Sequence, residues 1–225
     1  MAKEYYEKAQ SAFVKFTETG NPGNLMMVQL TDDDFHNLYG AFGTDSSRET
    51  VKIINGLKES QQIYSLWMQG NHYENNYTRV RLIKRQFMKY YRQAKQDDEL
   101  PRVVFRFGLT HTMRGLSMYN QFDLGNLAFE LAEMNEMKAI SFRITGIKGS
   151  AKGFMGPPQS FDNSESIHPA IMESVAGYSP DDGWFLLDFR PLRKLPTQAI
   201  QPVRELINSY DFWILVPEAK PVTNL

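Results

Sequence analysis

Cysteine is absent from this chain of 225 residues. Disulfide frameworks, zinc ribbons, iron–sulfur clusters and cysteine nucleophiles are excluded together. Net charge is nearly absent too: 25 basic residues face 26 acidic ones, for a formal −1. No global field favours nucleic acid or an anionic membrane, so neither is expected as a partner. No run approaches the ~18 consecutive apolar residues of a transmembrane helix. The start, Met1-Ala2-Lys3-Glu4-Tyr5-Tyr6, is polar and has no apolar h-region. No signal peptide is therefore expected within this chain; any targeting segment would lie upstream and the compartment stays open. Several short signatures are missing as well. There is no HExxH, no GxSxG, no GxGxxG and no P-loop ending in Gly-Lys-Ser/Thr.

What is present is an ordinary globular composition, 42% hydrophobic and 23% charged. Such a chain buries enough apolar surface to offset its conformational entropy. Its length predicts one large domain or two small ones, and the reading adopted is a single domain over residues 1–225.

The first hundred residues read as helical. Tyr6, Ala9, Phe13 and Phe16 make a stripe over residues 2–19, stopped by Gly20-Asn21-Pro22-Gly23. Thr31-Asp32-Asp33-Asp34 has the form of a helix N-terminus, feeding a short helix through Phe35 and Leu38. Ser46 or Ser47 is expected to cap a helix with Val51, Ile54, Leu57, Tyr64, Trp67 and Met68 inward. A further helix is predicted over residues 76–95, with Val80, Ile83, Phe87, Tyr90 and Ala94 as its stripe. From Pro101 the texture alternates. Strands are expected at 102–107, 139–147, 184–189 and 212–216, and helices at 123–136 and 198–208, with Pro202 in the first turn of the latter. The unit 102–147 reads as strand–helix–strand with parallel pairing. The fold class is thus α/β: a mostly parallel sheet of about four strands (residues 101–225) with a helical N-terminal half (1–100). Residues 148–182 are long for a plain loop and are read as functional, mobile or partly structured.

The strongest chemical candidate is Gly108-Leu109-Thr110-His111-Thr112-Met113-Arg114-Gly115, between an apolar run and a helix. Open α/β sheets bind ligands beyond the carboxyl ends of their strands. A histidine there can act as a general base or metal ligand, and an arginine can hold an anion. The competing reading is a capped loop in which both side chains make ordinary hydrogen bonds. His72 and Glu74 lie in a densely polar stretch between two helices, and Arg79 follows it. The other basic residues of Arg79-Val80-Arg81-Leu82-Ile83-Lys84-Arg85 fit the solvated side of an amphipathic helix. The four histidines form no close pair, so no metal site is read from spacing. The glycine-rich run Gly149 to Pro158 suits a lid or wall better than a phosphate cradle.

Ser60-Gln61-Gln62-Ile63-Tyr64, Asn76 with Arg79, residues 102–111 with Arg114-Gly115, and the ending Tyr210 to Pro217 resemble the second half of erythromycin esterase-like proteins. That family looks related to the ChaN-like haem-binding and Tiki/TraB group, in which a GxxH turn follows a strand; here the turn is Gly108 to His111. The resemblance implies an α/β core with helical insertions, and ester hydrolysis by water activated at a His/Glu cluster. It implies a catalytic place for His111 and Arg79, and a substrate-binding place for Arg114, with His72 and Glu74 as further cleft candidates. The family's Gly-Glu-x-x-His motif, carrier of the principal acid and base, has no counterpart here, because the chain contains no Gly-Glu dipeptide.

The expectation is a C-terminal part of such a hydrolase, half of a cleft for a small-molecule substrate and inactive alone. A haem- or metal-binding module using His111 is a second expectation, so the cofactor is left unknown. A non-catalytic interaction domain, with exposed apolar surface driving homodimerisation, is a third.

Overall fold

A computed structural model describes residues 2–45, 48–151, 158–175, 177, 183–197 and 203–221. The expected cap at Ser46 or Ser47, Pro202 with the start of the helix expected at 198–208, and residues 152–157 of the glycine-rich run lie outside them. The chain divides into two compact units, Met1–Arg79 and Val80–Leu225.

The first unit is helical. It contains α1 (Ala2–Thr19), α2 (Met26–Gln29), α3 (Asp32–Phe42), α4 (Glu49–Met68) and the opening turns of α5 (His72–Ala94). Leu30, Phe35, Leu38 and Ile54 form its core, with Tyr5, Met26, Tyr39, Phe42 and Leu57 packed around them. The α1 stripe is rotated from the expected one. Ala12 and Phe16 are buried, whereas Tyr6 and Phe13 are exposed. Either face of α1 is apolar enough to bury, and packing rather than periodicity selects one. Trp67 and Met68, expected inward, are exposed on the last turn of α4.

Helix α3 starts as its sequence dictates. The Thr31 hydroxyl accepts from the Asp34 N–H, and the Asp34 carboxylate accepts from the Thr31 N–H at 2.9 Å, a reciprocal capping box. Lys8 donates to the other carboxylate oxygen at 2.9 Å. Partial burial pulls the Asp34 pKa upward, but Thr31 and Lys8 outweigh it and hold it at about 2. An unfolded aspartate titrates near ~3.9. The contribution is therefore complete above that value and is lost as pH falls through about 2. It amounts to about 1–2 kcal/mol once solvent screening is allowed for. Urea unfolding of wild type and Asp34→Asn should show a stability gap at neutral pH that closes across this acid window. A gap that stays constant with pH would contradict the assignment.

The second unit holds the rest of α5, α6 (Leu109–Thr112), α7 (Leu124–Met134), β1 (Phe142–Ala151), β2 (Gln159–Asp162), α8 (Pro169–Val175), β3 (Phe185–Asp188), α9 (Arg204–Ser209) and β4 (Phe212–Ala219). The sheet order is β2-β1-β4-β3. Only β1 and β4 run parallel; β2 and β3 pair antiparallel to their neighbours. The sheet is thus mixed α/β, not mostly parallel. Two physical reasons account for this. Residues 102–107 have strand composition but join no ladder, and Val104 is 93% exposed. Strand propensity becomes a strand only where a backbone pairs, and the partners of β1 are β4 on one side and β2 on the other over Lys148–Ala151. In place of residues 102–107, the segment 148–182 supplies β2 as an antiparallel return. Gly149 serves the pairing with β4: at φ +139° a Cβ there would lie 2.7 Å from Ala219 N.

Alternation along β4 sends Trp213 and Leu215 into a core with Ile167, Ile171, Val175, Phe189, Ile207 and Tyr210. The opposite sheet face differs. Ile144, Ile214 and Leu186 are register partners and so share that face, and Ile144 and Leu186 are exposed.

Candidate functional site

The site is built on the Gly108–Arg114 turn of the second unit. Helix α6 is a single turn, and its His111 side chain is 19% exposed. Its Nδ1 lies 2.7 Å from Oδ2 of Asp123, whose side chain is fully buried. Asp123 is the N-cap of α7, and its Oδ1 accepts from the Leu124 N–H at 2.7 Å. The cap fixes the carboxylate at the start of α7. With Nδ1 donating to that carboxylate, the tautomer leaves Nε2 with its lone pair. His111 is thereby set as an oriented base or ligand.

Three neighbours complete the frame. Lys84 of α5 donates to Phe122 O at 2.6 Å; burial pushes its ammonium pKa down, opposed by the Asp123 charge. The Tyr210 hydroxyl donates to Leu109 O at 2.8 Å, tying α6 to the end of α9. Burial raises that phenol's pKa. Asn126 of α7 bonds both the N–H and the C=O of Gly115, closing the turn from behind.

Arg114 is engaged in structure. Its guanidinium donates to Asp211 Oδ1 at 2.9 Å and stacks 4.2 Å over the Phe129 ring. Arg193 donates to the same oxygen at 2.8 Å, and Asp211 Oδ2 accepts from the Ser141 N–H at 2.8 Å. Burial pulls the Asp211 pKa up, but Ser141 and the two arginines hold it below the usual carboxylate range.

The remaining candidates belong to the first unit. His72 and Glu74 are exposed in the first turn of α5, which begins at His72 rather than near residue 76. The polar run 71–76 is what allows the earlier start, because first-turn N–H groups lack intrahelical partners and tolerate polar neighbours. The Asn75 amide also donates to Ile63 O, tying this turn to α4. The Arg79 guanidinium lies 5.5 Å over the Tyr64 ring. Structure therefore joins His111 to Asp123, and Arg114 to Asp211. Asp211 was not among the candidates, and Asp123 was an acid whose direction the sequence left open. The signal for Asp123 was present, an aspartate directly before Leu124-Gly125 at a helix start; Asp211 left none, since its partners lie 18, 70 and 97 residues away.

Among the described residues, no three His, Asp or Glu side chains gather as a metal site would require. No family model matches this chain, and neither a curated protein nor a solved structure shows significant similarity to it.

Proposed function

We propose that this chain is the C-terminal part of an erythromycin esterase-like hydrolase, contributing half of an ester-hydrolysing cleft and inactive alone. The observation that carries the reading is the His111–Asp123 pair. A sealed carboxylate orients the imidazole, stabilises the imidazolium that forms when Nε2 takes a proton, and leaves Nε2 to polarise a substrate or accept from water. The GxxH turn and the ending Tyr210 to Pro217 support the family. The residues that complete water activation belong, on this reading, to the Gly-Glu-x-x-His motif that this chain lacks.

Chromogenic esters test it. The chain alone should turn over no faster than buffer. The same chain extended upstream through its genomic reading frame should hydrolyse them. That rate should fall ~100- to 10,000-fold in His111→Ala, and less in Asp123→Asn, which keeps an acceptor but loses the charge. Robust turnover by the chain alone, abolished by His111→Ala, would overturn the half-cleft reading.

A carboxylate holding Nδ1–H is also how proteins orient a metal-ligating histidine. This favours, as the second reading, a haem or metal module of the ChaN-like type. Haemin titrated into wild type and His111→Ala separates the two: a Soret shift seen only in wild type selects the second.

A further inference from the structure

The second unit contains a cavity of about 680 Å³. That lies within the roughly 300–1,000 Å³ of small-molecule sites. Its walls are aromatic and aliphatic: Phe87 and Tyr91 of α5, Phe105, Phe129 of α7, and Phe142 with Ile144 at the start of β1. Phe105 packs on Phe87 at 4.8 Å between centroids with the rings tilted by 51°, so one wall is an aromatic surface. The cavity also touches the exposed face of the sheet, because Phe142 and Ile144 belong to both. Its lining carries two cations, Arg106 and Lys138. Among the described residues neither is paired with a carboxylate. The other charged groups of this unit discussed above are committed, Arg114 and Arg193 to Asp211 and Lys84 to a carbonyl.

We propose that this cavity binds a single-chain amphipathic monocarboxylate, its hydrocarbon tail against the aromatic walls and its headgroup on Arg106 or Lys138. Both cations are exposed and solvated in the free protein, and an anionic headgroup gains a charge-assisted contact with them that an uncharged apolar ligand lacks. A dianionic or sugar-like ligand would leave the aromatic walls without apolar partners. A group with one apolar and one anionic end meets both parts of the lining. The inference is independent of hydrolysis, since binding is read without turnover.

Octanoate, decanoate and dodecanoate, titrated into the full chain by calorimetry below their micellar concentrations, test it. Each added methylene should tighten binding roughly fourfold, the ratio set by burying one CH2. Dodecanol should bind at least tenfold more weakly than dodecanoate. The surface changes Arg106→Glu and Lys138→Glu together should remove that preference without affecting the melting temperature. Ala132→Phe, which adds a ring to a lining position of α7, should abolish binding; the charge reversals keep the proposal testable if that variant fails to fold. Absent binding, equal affinity for dodecanol and dodecanoate, or no response to charge reversal overturns it. So does light scattering that shows a dimer whose formation dodecanoate does not alter, since the apolar walls would then be a surface between copies.

Discussion

Gly125→Ala should destabilise the second unit by about 3 kcal/mol or more and displace the turn that carries His111. The sign is not obvious from local propensity. Gly125 lies in the first turn of α7, and alanine is favoured over glycine inside a helix by about 1 kcal/mol. Packing reverses this. A Cβ at residue 125 would lie 2.5 Å from Thr112 O and 2.6 Å from Thr112 C, and closer still to Met113 O. All three are backbone atoms, so no side chain can swing away to relieve the overlap. Helix α7 would have to move off the 112–113 backbone, and Thr112 adjoins His111. Asp123, two residues before the substitution, would move with the helix, lengthening the bond between Asp123 and His111. Chemical denaturation should show a lowered midpoint with an unchanged m-value. A variant within 0.5 kcal/mol of wild type, on the order of a neutral surface change, would show that the close approach does not exist.

Asp211→Ala should cost about 3–5 kcal/mol, the range for breaking a buried ion pair by removing one partner. Asp211 is 4% exposed and accepts from three residues at once: Arg114, Arg193 and Ser141, the last through both its N–H and its hydroxyl. Alanine leaves two guanidiniums converging on a site with no anion, and a buried N–H without its acceptor. Arg193 keeps its bonds to Ile207 O and Tyr210 O, so it cannot leave freely to find water. Asp211→Asn should lose less, because one oxygen remains, but its amide would face a donor. The pH response follows from the depressed pKa. Stability from Asp211 is complete above the usual carboxylate range and is lost as pH falls below it. Thermal or urea unfolding of the three proteins at neutral pH checks the ordering wild type, Asn, Ala. A loss under 1 kcal/mol for the alanine variant would mean that the two arginines find other partners.

Both changes act on the same small region. Asp211 anchors the loop leading out of the His111 turn through Arg114, and Tyr210 beside it holds Leu109. Placement of the histidine thus depends on residues about a hundred positions further along the chain. The helix cap at Asp123 supplies the remaining constraint.

Helices α1, α3, α4 and α7 were legible because their information is local. Periodicity, capping residues and glycine stops act within a few residues of where they are written. The capping box at Thr31 and the helix start at Asp123 are of this kind. So are three of the four strands, whose Val, Ile and Phe content marks them without a partner. The GxxH turn was legible as a site candidate for the same reason, since a histidine between a strand-like run and a helix start is visible in one short window.

Non-local facts were not legible. Residues 102–107 have the composition of a strand, yet join no ladder, because composition gives only a propensity and a strand forms only where a partner backbone pairs with it. Antiparallel β2 arose inside a stretch rich in glycine and serine, where composition alone favours a loop. The buried face of α1, with Ala12 and Phe16, was set by packing rather than by the stripe. The role of Arg114 turned on Asp211, 97 residues away. Sequence by itself determined the α/β character, most elements and the histidine worth testing. Tertiary structure alone decided the sheet's mixed topology, which arginine is a tether, and which carboxylate orients His111. The physical reason is the range of the forces: propensity and capping are settled between neighbours, whereas pairing, burial and ion partners are settled only when distant segments meet.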